Sequence, residues 1–83
     1  MDTSMISKVE KAKHYADEKH RIHITALSVT LDGENSEHHL AFHDHEWHCD
    51  CSFFHDRGWC SHTLAMEHVL APMIPVTNIE TLP

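Results

Sequence analysis

The spacing of apolar residues changes three times along the chain, and each change predicts a new element. From Ser4 to Glu18 the apolar positions recur at intervals of three and four: Met5, Val9, Ala12 and Ala16, with Ile6 and Tyr15 beside them. Lys8, Lys11 and Asp17 sit on the polar side. This pattern predicts a half-buried amphipathic helix over 4–18, with Ser4 as its N-cap. From Arg21 to Leu31 the period becomes two, and its phase slips by one at Ala26. That predicts a long strand with a bulge near Thr25-Ala26, or a strand reached through an irregular segment. Asp32-Gly33-Glu34-Asn35 is a turn. Leu40 and Phe42 alternate with His39, Ala41 and His43 in a second strand. Asp44-His45-Glu46 is a second turn, and Trp47 to Cys51 a third strand with Trp47, Cys49 and Cys51 on one face. Ser52 to Trp59 reads as a loop with a reversal at Arg57-Gly58. Ser61 then caps a helix from His62 to about Leu70, on which Leu64, Ala65, His68 and Val69 share a face. Pro72 and Pro75 end it.

The expected fold is therefore a small α+β domain: an N-terminal amphipathic helix over 1–20, a core over 21–71 and a loosely ordered tail over 72–83. The core holds a three-stranded antiparallel sheet and a closing C-terminal helix. At 83 residues the chain has room for one small core, and 41% hydrophobic residues suffice to build it. Cores of this size usually need a metal, disulfides or oligomerisation. No apolar run approaches the roughly 20 residues of a membrane span. The N-terminal residues lack the apolar region of a secretory signal, so the expected location is cytoplasmic, with thiols kept reduced. Three cysteines are also an odd number for a disulfide framework. Metal binding is the better use of them.

All three cysteines fall in the stretch from Trp47 to Leu70. Cys49-x-Cys51 is followed after eight residues by Cys60-x-His62. Thiolate and imidazole are ligands of tetrahedral structural zinc, and three cysteines with one histidine make a closed site. Residues i and i+2 of a strand point the same way, so Cys49 and Cys51 can reach one ion. On a continuous helix Cys60 and His62 would be about 200° apart. Cys60 is therefore expected in the loop before the cap, with His62 in the first turn. The cofactor expected is one structural Zn2+ held by Cys49, Cys51, Cys60 and His62.

At this point the chain resembles the SWIM-type zinc finger, described by CxC, a variable spacer and CxH. Trp47 before the first cysteine, Phe53-Phe54 after the second, the Gly58-x-Cys60 approach and Leu64 after the histidine are similar to family positions. The strand pair and the KAKHYA helix resemble short stand-alone prokaryotic members. The resemblance covers roughly Lys8 to Leu70. It implies a ββα zinc-bound core with the same four ligands and no catalytic residues. The family occurs in bacterial helicase-type ATPases, plant mutator-type transposases and a ubiquitin-ligase-like kinase relative, and is presumed to bind DNA or proteins.

Charge chooses between those two partners. Thirteen Asp and Glu face six Lys and Arg, a net charge of -7. Three thiols that lose protons to a divalent ion make it one unit more negative. Such a surface repels the phosphate backbone that dominates nucleic-acid affinity. The expected function is a non-enzymatic, protein-binding adaptor that works in trans with nucleic-acid machinery. The alternative is a nucleic-acid-binding zinc finger. Lys8, Lys11 and Lys13 read as a solvated helix face before a phosphate site. Trp47, Phe53, Phe54 and Trp59 read as core walls before a base-stacking platform, with Phe53 the most exposed. The 11 histidines include His38, His39, His43, His45, His48, His55 and His68, which read as exposed strand and turn residues before a second metal site.

Overall fold

The structure is a computed structural model and describes residues 2–77. Helix α1 spans Thr3–Asp17 and a 3₁₀ turn follows at Lys19–Arg21. Strands β1 (Leu27–Asp32), β2 (Glu37–His43) and β3 (Glu46–Cys49) form one antiparallel sheet in that order. Helices α2 (Ser52–Arg57) and α3 (Ser61–Leu70) complete the chain. The fold is the small α+β arrangement expected, with one extra helix. No helix among the described residues is long and apolar enough to cross a membrane.

Helix α1 is capped by Asp2, not by Ser4 as expected. The Asp2 carboxylate accepts from the Met5 amide at 2.9 Å and from the Ser4 hydroxyl at 2.8 Å. These two donors hold its carboxyl below the usual carboxylate range. The half-burial expected for this helix is absent: none of its residues is buried, and Met5 remains 52% exposed. The reason lies at its C-terminus. The Glu18 amide caps His14 and Tyr15 carbonyls, the Arg21 amide returns to Glu18, and Glu18 pairs with Arg21. This knot turns the chain before α1 can lie on the sheet. The radius of gyration, 16.6 Å, exceeds the roughly 12 Å of a compact chain of this length.

The long strand from Arg21 is shorter than its period suggested. Residues 22–26 are irregular and β1 begins at Leu27, the second of the two arrangements the phase slip allows. The Ile24 amide donates to the Met73 carbonyl at 3.1 Å, so this stretch pairs with the end of the chain rather than with the sheet. Register then sets the inner face: Leu27 opposite Phe42, Val29 opposite Leu40, Phe42 opposite Trp47, Leu40 opposite Cys49. Leu40 and Phe42 are almost fully buried, and the Phe42 and Trp47 rings meet at 5.3 Å. The β1–β2 loop needs Gly33, because a Cβ there would stand 2.8 Å from both the Ser36 carbonyl and the His38 ring. The β2–β3 turn is two residues, Asp44 and His45, both left-handed at φ 52° and 64°, as a type I′ hairpin requires.

Ser52 to Trp59, expected as a loop, contains α2. Its N-cap is Cys51, whose sulfur accepts from the Phe54 amide at 3.4 Å, and Gly58 ends it at φ 80°. Cys51 therefore leaves the strand it was assigned to. Helix α3 is capped by Cys60, not Ser61. Its inner face is also rotated: Thr63 and Glu67 are buried, whereas Ala65, His68 and Val69 are exposed, Val69 to 67%. Internal bonds let polar residues take that face. The Thr63 hydroxyl accepts from the Cys60 amide and donates to the Cys60 carbonyl. The Glu67 carboxylate accepts from the Thr77 amide at 2.8 Å and its hydroxyl at 2.6 Å.

Those bonds also order the first part of the expected tail. Ile74 is 1% exposed and the Met73 amide returns to the Leu70 carbonyl. The remainder of that tail, 78–83, lies outside the described residues.

Candidate metal centre

Four chain positions converge where the sheet meets the two C-terminal helices. Cys49 ends β3, Cys51 caps α2, Cys60 caps α3, and His62 lies in the first turn of α3. One ligand atom from each lies within 4.8 Å of all the others. The His62 Nδ1 atom stands 3.7 Å from the Cys49 sulfur and 3.6 Å from the Cys60 sulfur. Tetrahedral coordination, with sulfur near 2.3 Å and nitrogen near 2.0 Å from an ion, sets sulfur–nitrogen edges of about 3.5 Å. The observed separations, 3.6 and 3.7 Å, are close to that edge, so the four residues could hold one ion. All three cysteines are free thiols.

The local electrostatics treat the thiols unequally. Burial pushes the Cys49 thiol up to about 12, with its bonds to the Cys51 and Cys60 thiols adding to the rise and the Cys51 amide opposing it. Burial raises the Cys51 thiol too, yet the Phe54 amide and the neighbouring thiols outweigh it, and its pKa is lowered. Only one of these two sulfurs is stabilised as a thiolate by the protein. Cys51 and Cys60 stand at helix N-termini, whose positive ends favour the negative charge that three thiolates around a divalent ion retain.

A second layer of residues surrounds these four. Asp50, between Cys49 and Cys51, carries the sheet ladder one step past β3, its amide donating to the His39 carbonyl at 3.2 Å. Its carboxylate accepts from the His39 amide at 3.1 Å and bonds His38 Nδ1 at 3.1 Å. The His39 amide chiefly, with His38, holds that carboxyl below the usual range against the opposing effect of burial. The His38 ring lies on the His62 ring, 4.1 Å between centroids. Phe53 and Trp59 meet edge to face at 5.1 Å and line the outer side of the site with Cys51, Cys60 and His62. Phe53 is 46% exposed, as expected of it. The Trp47 and Trp59 indole N–H groups are buried without an acceptor among the described residues.

Sequence spacing singled out the four residues that come together. It did not identify Asp50 or His38, since a lone carboxylate and one histidine among many have no distinguishing pattern. The other histidines form no second ligand set among the described residues. His43 and His48 stack at 4.5 Å on the open sheet face, and His43 and His55 each bond the acidic residue that follows them. Comparison with protein-family models, curated proteins and solved structures gives no match for this chain.

Proposed function

We propose that Cys49, Cys51, Cys60 and His62 hold one structural zinc ion, and that the chain is a SWIM-type module that binds a protein partner. The observation that carries the first half is the close approach of His62 Nδ1 to two cysteine sulfurs at tetrahedral spacing. The donor set supports zinc: thiolate and imidazole in a four-ligand site suit it better than magnesium or calcium, which take oxygen. Four protein ligands leave no position for water or substrate, which supports a structural role and not an enzymatic one. Bound there, the ion supplies the links between β3, α2 and α3 that so small a core lacks. The net charge of -7 supports a protein partner over DNA or RNA.

Metal analysis of the purified chain tests the ion. One zinc per chain is expected. Chelation, or Cys60→Ser, is expected to abolish the chemical-shift dispersion of the folded core, and a fully folded metal-free chain would overturn the reading. A salt titration with single- and double-stranded DNA tests the partner. No binding at low salt supports the adaptor reading; affinity that falls steeply with salt replaces it with the nucleic-acid one.

A further inference from the structure

Helix α1 has an apolar stripe that nothing among the described residues buries. Met5, Val9, Ala12 and Ala16 fall within about 60° of arc on its surface. Met5, Ile6, Val9 and Tyr15 are 52%, 46%, 43% and 50% exposed. At 15 residues α1 stands at the edge of the length, about 12–15 residues, below which isolated helices are marginal in water, so packing normally helps to sustain it. Charge is divided in the same place. Five of the six Lys and Arg lie in the first 21 residues, against four acids; after Arg21 stand one cation and nine acids. The arm carries a net +1 and the remainder -8.

We infer that α1 docks in trans on the acidic core of a second copy of this chain. The receiving surface is the groove of about 680 Å³ between the β1–β2 loop and α3. Leu31 and Ala65 line it together with the acidic Asp32 and Glu34. Val69, one turn beyond Ala65 on the exposed face of α3, extends the apolar surface. Lys8 and Lys13 border the stripe of α1 on its two sides, placed to meet Asp32 and Glu34. A pair of α1 helices is the poorer arrangement. No acidic residue borders the stripe, and parallel pairing sets Lys8 against Lys13 of the other copy. Folding back within one chain is opposed by the capped turn at Glu18–Ile22, whose hydrogen bonds would have to break. Two reciprocal arm-to-groove contacts close a two-fold dimer. This contact goes beyond the adaptor reading and does not depend on it.

Light scattering on the zinc-bound full chain tests it across a concentration series. Twice the mass of one chain is expected at high concentration, with the dissociation constant rising about tenfold from low to high salt. Val9→Asp is expected to leave a monomer with unchanged zinc content, since no residue of α1 supports the core. Lys8→Glu with Lys13→Glu is expected to abolish the dimer. Adding Asp32→Lys and Glu34→Lys to that variant restores it. A monomer at every concentration, a dimer that survives Val9→Asp, or a charge swap that fails to restore pairing would each overturn the inference.

Discussion

Asp50 concentrates several tasks in one side chain. It lies between two ligands, extends the sheet through its amide, and ties His39 and His38 through its carboxylate. Asp50→Asn keeps the shape but loses the charge, and its amide nitrogen cannot accept from the His39 N–H or from His38. Outer partners of ligands typically contribute 10–100-fold to metal affinity. Competition against a chromophoric chelator is expected to show zinc affinity reduced by about tenfold, with the stoichiometry unchanged. Cys49 sets the pH dependence. Its thiol pKa is raised to about 12 from the ordinary 9.0. A metal-free fold would therefore keep this contribution below pH 9.0 and lose it as pH rises toward 12. Zinc bound at the proposed site would reverse the sign, because protons would compete with it for all three sulfurs. Melts of the zinc-bound chain are expected to move to lower temperature from about pH 7 to about pH 5. A flat profile would argue against thiolate ligation.

Short elements show how far the pattern of residues could be read. The β2–β3 hairpin places Asp44 and His45 in the left-handed region, where a side chain is disfavoured. His45→Gly should stabilise the fold by about 0.5–1 kcal/mol, measured as a higher denaturant midpoint at constant slope. The segment after α3 works in the opposite sense. Ile74 is 1% exposed, and Ile74→Ala is expected to cost about 2–4 kcal/mol by the same measurement. Proline and the loss of period made that segment look unstructured, because period describes regular elements and says nothing of an irregular chain that fills a gap. Helix α2 was missed for a related reason. Six residues are too few to show a period, though Gly58 at its end is the usual helix stop. Helix α3 was found, but its buried face was assigned one position out, since Thr63 and Glu67 read as surface residues until their internal bonds are known. The convergence of Cys49, Cys51, Cys60 and His62 was legible because a CxC and CxH spacing is one that a single ion would require, a constraint that local sequence can express. The exposure of α1 was not. Amphipathic spacing says what a helix can bury, never whether a surface is there to receive it.

At the scale of the whole molecule the chain is an arm and a core that do not support each other. The core has few fully buried apolar side chains, Leu40, Phe42 and Ile74 with the Cys60 thiol, and β3 is only four residues long. So little buried surface leaves the proposed ion as its main source of cohesion. The arm contributes no buried residue. Among the described residues, the turn at Lys19–Arg21 and the irregular stretch that reaches Met73 join it to the core. Removing residues 1–17 should therefore leave zinc stoichiometry and the amide pattern of 27–74 unchanged. Measured on monomeric protein, stability should shift by no more than about 0.5 kcal/mol, the range of exposed substitutions. Chelation should do the reverse and unfold the core of the full chain and of the truncated chain alike. If truncation instead lowered stability by several kcal/mol in the monomer, α1 would have to pack on its own core in solution. The assignment of its apolar stripe to an outside surface would then fall.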